Sequence, residues 1–249
     1  MPVLCVIPAR LGSSRLAKKP LVPLAGEPLV LWVARRALEA RLFDRVVVAT
    51  DAREIAEVVR GAGFEAVLTS PDHQSGTERV AEVIASKEFM AFDLVVNLQG
   101  DEPFVKRRAI EGTLGRVRGG DPIGTAAGRL DARLATDPNR VKVVLNSTGH
   151  AVYFSRAPIP FDRDGRGGVT YHQHVGVYGY TREALERWVR LPPVPEERWE
   201  RLEQLRPLLH GIPIGVALFD EEPAPGIDTP DDLSRAEGLV ARQLKEVSP

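Results

Sequence analysis

Short apolar runs alternate along this chain with longer stretches whose apolar residues recur at helical spacing. Residues 3–7, VLCVI, read as a buried strand that breaks at Pro8. In PLVLWVARRALEARLF, Leu31, Ala34, Leu38 and Leu42 fall three or four apart, which predicts a helix with these residues on its inner face. RVVVAT predicts a second strand, and AREIAEVVRGAG a helix closed by glycine. EAVLT, TERVAEVIASKE and DLVVNLQ continue as strand, helix and strand. The repetition predicts an α/β fold with a doubly wound, Rossmann-like, mostly parallel sheet. Strands covered on both faces read as continuous apolar runs, as these do.

After about residue 120 the rhythm changes. IGTAAGRL, VKVVLN, AVYFSR and HVGVYGY read as strands joined without long helices, so mixed or antiparallel additions to the sheet are expected. RDGRGG, residues 163–168, predicts a mobile loop, and LPPVPEERWERLEQLRPL one helix opened by proline. IPIGVAL is a late strand, and GIDTPDDLSRAEGLVARQL a capped C-terminal helix. No repeat or linker interrupts the pattern. One domain over residues 1–249, with an inserted mixed-strand subregion, fits it.

Composition narrows the partners. The 249 residues are 43% hydrophobic and 27% charged, with a net charge of −1. That near-neutral balance argues against nucleic acid, which calls for a basic surface. No run approaches the roughly 18 apolar residues of a membrane helix. The N-terminal apolar run is too short for a secretory leader. No membrane association and a cytoplasmic location are the expectation, which also discounts the glycosylation sequon at Asn146. The single cysteine, Cys5, cannot form an internal disulfide and reads as a core residue.

Against that neutral background, IPARLGSSRLAKKPL stands out. Arg10, Arg15, Lys18 and Lys19 lie in one loop after the first strand, and no acid occurs before Glu27. Arginine outnumbers lysine 27 to 6, yet two of the lysines are adjacent here. Gly12 gives the loop backbone freedom, and Ser13 and Ser14 offer hydroxyls. The pattern is neither GxxxxGK[ST] nor GxGxxG. Either this is a solvated basic loop or it grips phosphate, arginine through paired donors and lysine as a point charge.

Two acids could share such a site. Asp101 follows the apolar run of VVNLQGDEPF, at the carboxyl end of a strand, where open α/β sheets bind ligands. In GIDTPDDL, Thr229 reads as the helix cap, Pro230 as the first helical residue, and Asp231 and Asp232 as first-turn acids. Capping leaves Asp228 unexplained. Mg²⁺ takes one or two carboxylates with phosphates and water, so Asp101 and Asp228 are either its ligands or turn residues. Ser75, Gly76 and Thr77 mark a helix start, with Thr77 the expected cap; Ser75 and Gly76 cap it too or meet a base or ribose. Arg79 follows on the first turn. His172 and His174 share one strand face, but a third zinc ligand is lacking. His174 therefore faces a substrate or serves structure. Glu203 and Gln204 either bind a polyol or form a solvated helix face.

IPARLGSSRLAKKPL, VVATD, DHQSGTERVAEV, VVNLQGDEPF, VKVVLN, YFSRAPIPFDRD, HVGVYGY, LEQLR and GIDTPDDL, in this order, resemble the 3-deoxy-manno-octulosonate cytidylyltransferase (CMP-KDO synthetase) family. The resemblance runs from about residue 3 to about residue 235. It implies a nucleotide-diphospho-sugar transferase type of fold and transfer of CMP from CTP to the anomeric hydroxyl of KDO. Pyrophosphate is released, and the product serves lipopolysaccharide synthesis. It implies that Arg10, Ser14, Arg15 and Lys19 bind the CTP phosphates, with Arg10, Arg15, Lys19 and Asp101 central to catalysis. Ser75, Gly76, Arg79 and Gln99 would line the nucleoside pocket, and Asp101 and Asp228 would hold Mg²⁺. Arg156, His174, Tyr178, Glu203 and Gln204 would hold the sugar acid. A homodimer is implied, with a sugar-binding and dimerisation subregion at about 150–210. The family carries Pro-Gly before its lysine where this chain has Ala17 and Lys18, which leaves open whether Lys18 or Lys19 leads. The competing reading is a cytidylyltransferase for another sugar acid, such as a sialic acid. YFSRAPIP and LEQLR favour KDO. A non-catalytic nucleotide-binding protein would not need the two acids beside the cationic loop.

Overall fold

β1 (Val3–Ala9) does not break at Pro8. Pro8 and Ala9 stay in parallel register with Ala49 and Thr50, because proline removes a donor without disturbing the extended backbone at a strand end. The computed structural model describes residues 1–12, 16–224 and 226–247. β2 (Pro23–Leu24) and β3 (Glu27–Pro28) follow, then α1 (Leu29–Ala40), β4 (Arg45–Thr50), α2 (Arg53–Gly61), β5 (Glu65–Leu68), α3 (Gly76–Ala85) and β6 (Leu94–Leu98). Next come α4 (Arg107–Arg118), β7 (Ile123–Leu130), β8 (Lys142–Leu145), β9 (Ala151–Ser155) and β10 (Tyr171–Thr181). The chain continues with α5 (Arg182–Arg190), α6 (Pro195–Glu200), α7 (Leu205–Leu209), β11 (Ile214–Phe219) and α8 (Pro230–Val247). This is the α/β class with a mostly parallel, Rossmann-like sheet. Contacts divide it into two units. An N-terminal unit holds residues 2–91, 97–104 and the segment carrying α8, and an inserted unit holds residues 92–96 and 105–224. The subregion expected at 150–210 lies within the second.

In the N-terminal unit, β1 pairs with β4 and β4 with β5, all parallel. Leu4, Cys5, Val6 and Ile7 are inaccessible to solvent, as a strand covered on both faces requires. Burial raises the Cys5 thiol pKa well above its ordinary value. α1 turns Leu29, Val30, Val33, Ala34 and Ala37 inward. Leu38, expected on that face, is 52% exposed, so the buried stripe is rotated toward the valines. α2 ends as its sequence predicts: Gly63 takes φ +83 and its N–H bonds the Arg60 carbonyl. Leu24 and Leu29 pack with Ile227, Ala236 and Val240, so α8 is anchored beside α1. Fully burying a leucine or isoleucine contributes about 1.5–3 kcal/mol, and this cluster fixes the chain entering α8.

The inserted unit is mixed, as expected. β7 is antiparallel to β10 and parallel to β11, and β8 is antiparallel to both β9 and β10. α4 is not among the elements expected above, and it contains the helix-weakening Gly112 and Gly115. Gly112 is needed for packing: a Cβ there would lie 2.6 Å from the Ala217 Cβ. The single helix expected from LPPVPEERWERLEQLRPL is two. α6 stops at Arg201, which adopts the left-handed conformation at φ 53, and α7 starts anew. A paired contact from Arg206 Nε and Nη2 to the two Glu197 oxygens, at 2.9 and 2.6 Å, spans the break. Residues 163–168 form an exposed loop in which Gly165, Gly167 and Gly168 take positive φ.

Candidate active site

Three segments of the N-terminal unit meet at Pro8. A Cβ on Gly100, just past β6, would lie 2.8 Å from the Pro8 carbonyl oxygen, and one on Gly76, at the start of α3, 3.1 Å from the Pro8 ring. Both positions are glycine because the loops close onto the end of β1. The Asp101 carbonyl then accepts from the Ile227 N–H at 3.0 Å, tying the segment after β6 to the one before α8. The two predicted acids are thereby brought together. Lys19 Nζ donates to Asp101 Oδ2 and to Asp228 Oδ1, each at 2.7 Å. Burial by itself would lower the Lys19 pKa; the charges of Asp101 and Asp228 and their hydrogen bonds outweigh it and raise the pKa. The ammonium is therefore firmly charged.

The adjacent lysines part company. Lys18 sits in the left-handed region at φ 50 and begins the 3-10 turn of Lys19–Leu21. Its Nζ bonds both oxygens of Glu54 at 3.0 Å, in solvent. Lys19 thus faces the carboxylates, and Lys18 does not. Arg10 reaches the Gln74 carbonyl at 3.3 Å, so it lies beside the start of α3. Ser14 and Arg15 lie outside the described residues. The cap of α3 is Ser75, whose Oγ accepts from the Glu78 N–H at 3.2 Å. Thr77, expected to cap, is instead buried. The Arg79 guanidinium, 2% exposed, bonds Asp51 Oδ2 at 3.1 Å, the Ser70 carbonyl at 3.3 Å and the Thr69 hydroxyl. It braces the segments after β4 and β5. Gln99 accepts from the Glu102 N–H at 3.1 Å in the turn that presents Asp101.

Thr229 caps α8 as predicted, accepting from the Asp232 N–H at 3.2 Å. Asp232 does more than favour the helix dipole. Its Oδ2 accepts from the N–H groups of Asp228 and Thr229 at 3.2 and 2.9 Å, so it holds the backbone that carries Asp228. Burial works against its charge, but bonds from Thr229, Arg235 and these backbone groups prevail and lower its pKa.

The five residues expected to hold a sugar acid all lie in the inserted unit. Thr125 Oγ1 donates its one hydrogen to the Val177 carbonyl at 2.7 Å, so His174 Nε2, 3.0 Å away, must donate to Thr125. That fixes the tautomer and leaves Nδ1 as an acceptor. Phe154 and Tyr178 flank the ring, each with centroids 5.2 Å away. Burial lowers the His174 pKa to about 3, so the imidazole is neutral at physiological pH. Tyr178 is 1% exposed. Burial, then the nearby Tyr180 and Glu203, raise its phenol pKa. His174, Tyr178 and Glu203 are therefore neighbours. Gln204 is buried where α7 begins. The Arg156 guanidinium donates to the carbonyls of Glu200, Pro138 and Arg201 at 2.6, 2.7 and 3.4 Å. Behind it, the inaccessible Lys142 donates to the carbonyls of Asp137, Arg140 and Arg156 at 3.0, 2.5 and 2.5 Å. Burial lowers the Lys142 pKa to about 8. Sequence reasoning missed Lys142, although a rare lysine inside the apolar VKVVLN was a signal. It missed Asp51, Thr125 and Glu200 with no comparable signal. Among the described residues, no cluster of three or more His, Cys, Asp or Glu forms a metal cage.

Comparison with known proteins follows the same lines. Residues 4–214 match the sequence profile of a family described as cytidylyltransferase. A 3-deoxy-manno-octulosonate cytidylyltransferase of Gemmatimonas aurantiaca is 51% identical over 241 residues, covering 95% of this chain and 93% of the relative. One of Methylococcus capsulatus is 47% identical over 254 residues, covering 93% and 94%. A solved structure of CMP:2-keto-3-deoxy-manno-octonic acid synthetase complexed with CTP superposes with a TM-score of 0.89. It is 39% identical and covers 98% of this chain and 100% of that one.

Proposed function

We propose, from the premise that this chain belongs to the cytidylyltransferase family, that it transfers CMP from CTP to the anomeric hydroxyl of KDO. Pyrophosphate leaves, and the CMP-KDO serves lipopolysaccharide synthesis. The observation that carries the reading is the convergence of Lys19, Asp101 and Asp228 at the carboxyl end of β1 and β6. It supplies what a nucleoside triphosphate needs, a cation and a pair of carboxylates able to hold a divalent ion. The names of the relatives favour KDO over a sialic acid.

The two carboxylates already share one cation, so they fit Mg²⁺, which takes one or two carboxylates and fills its octahedron with phosphate and water. Mg²⁺, when bound there, would polarise the α-phosphate and make the attacking hydroxyl more acidic. Lys19 and Arg10 would offset triphosphate charge and stabilise the departing pyrophosphate. Such transfers rest on positioning and charge rather than covalent catalysis. Neutral His174, with its acceptor Nδ1, suits a sugar hydroxyl, and the positive charge of Arg156 suits a carboxylate.

Two further parts belong to the proposal. The protein is cytoplasmic; no helix among its described residues is long and apolar enough to cross a membrane. It is a homodimer through the subregion at about 150–210, where Val152, Phe161 and Trp199 are 55, 79 and 78% exposed. Light scattering should give the dimer mass, and Phe161→Asp with Trp199→Asp should halve it.

Pyrophosphate release from CTP tests the activity. KDO with Mg²⁺ should support it faster than a sialic acid does. Equal or reversed rates would remove the KDO assignment and leave the family assignment intact.

A further inference from the structure

We propose that Lys19 is the resident cation of the divalent-metal site, and that the triphosphate of the nucleotide is what draws it away. The inference rests on the CTP reading above and adds to it an order: nucleotide first, metal second. Its basis is geometric. Asp101 and Asp228 bond the same nitrogen at the same 2.7 Å, so their convergence point is already taken by a full positive charge. Mg²⁺ needs these oxygens at about 2.0–2.1 Å. An ammonium and a divalent ion cannot both occupy that space. The Lys19 side chain is 14% exposed, and its carboxylates 25 and 33%, so the pair opens toward solvent instead of being sealed in the core.

The neighbouring lysine shows that the arrangement is local. Lys18 carries the same charge one residue away, yet it is held by Glu54 in solvent. Of the two adjacent lysines, Lys19 is the one that bonds the two carboxylates. A triphosphate offers its ammonium several anionic oxygens at once. Transfer of Lys19 from carboxylate to phosphate withdraws its ammonium from Asp101 and Asp228 and brings a metal-binding anion beside them. Nucleotide and metal then each strengthen binding of the other by the same factor, as linkage requires. The device keeps the metal site closed until the substrate that needs it has arrived.

Mn²⁺ titrations followed by electron paramagnetic resonance test this without turnover, since no sugar acid is added. The wild-type protein should bind Mn²⁺ weakly alone and at least tenfold more tightly with CTP. Lys19→Met should bind Mn²⁺ alone at least tenfold more tightly than wild type, and CTP should tighten Mn²⁺ by a smaller factor there than in the wild type. Lys18→Met removes the same charge nearby and should behave as wild type; an equal gain there would mean a general field effect and overturn the proposal. Equal nucleotide-free affinities of wild type and Lys19→Met, with CTP still tightening Mn²⁺ in the wild type, would also overturn it and leave the CTP reading standing. If Lys19→Met tightens Mn²⁺ but CTP tightens it in neither protein, the lock holds and CTP as its release is overturned. Nitrogen-15 spectra of the lysine ammonium groups check the unaltered protein. One protected signal should move with CTP and stay put with Mg²⁺ alone; displacement by submillimolar Mg²⁺ alone would overturn the proposal.

Discussion

The two units of this molecule hold their charged groups in opposite ways. In the N-terminal unit Asp101 and Asp228 each bond Lys19 at a partly exposed set of strand ends, an arrangement of side chains that can exchange partners. In the inserted unit Lys142 and Arg156 are tied to backbone carbonyls, and His174 to a hydroxyl whose only hydrogen is committed elsewhere. Backbone acceptors cannot swing away. The contrast separates two tasks. Under the function proposed above, the first arrangement suits a charge that changes partners when the nucleotide arrives, and the second a rigid frame for recognising a sugar acid.

Substitutions in the first region should therefore affect chemistry, and those in the second recognition. The largest effect is expected at Asp101→Asn and Asp228→Asn. Each should lower turnover about a hundred-fold, with little change in the melting midpoint, since a charge-assisted contact is worth roughly 1.5–3 kcal/mol. Asp231→Asn, on the exposed first turn of α8, should leave turnover near normal. A Mg²⁺ titration of pyrophosphate release for all three checks this, and an active Asp228→Asn would reduce Asp228 to a helix-entry residue. Next, Lys142→Met should raise the KM for KDO about tenfold while leaving the KM for CTP unchanged, in line with one lost charge-assisted network. A parallel rise in both constants would erase the distinction between the regions. Gly100→Ala should cost about 1–3 kcal/mol in a urea midpoint, because its Cβ would press on the Pro8 carbonyl at 2.8 Å.

The smallest effect is a pH dependence. The folded His174 pKa of about 3 lies below the ordinary 6.5. Between those values the unfolded chain binds the extra proton, so stability rises with pH across that window. Wild type should lose more stability from pH 7 to pH 5 than His174→Gln does, as read from urea midpoints. Equal losses would mean the ring is not held neutral.

The same contrast explains what could be read from the sequence. The parallel strands were legible because burial on both faces leaves an unbroken apolar run, as in VLCVI and RVVVAT. Asp101 was legible because it follows the apolar run of VVNLQGDEPF, and Asp228 because capping of the next helix does not require its charge. Their meeting on Lys19 instead of Lys18 was not, since it depends on the left-handed backbone at residue 18 and a hydrogen bond from Ile227 to Asp101. α4 was hidden by Gly112, a helix-weakening residue retained for close packing against Ala217. The break after α6 was hidden because Arg201 adopts a conformation that glycine would have advertised. Glu200 was silent because its partners, the Ser155 hydroxyl and the Arg156 N–H and guanidinium, are brought near only by the fold.

Cys5 gives the N-terminal unit a built-in clock. It is the chain's only thiol, it lies in the strand that leads into the cationic loop, and it is inaccessible with its ionisation suppressed. A thiol reagent can reach it only when the core around β1 opens, so labelling records each opening as an irreversible event. A ligand that bonds the loops gathered at Pro8 must lengthen the interval between openings. CTP binding to this protein can thus be followed as a half-life at a single sulfur, with no sugar acid, no turnover and no introduced probe.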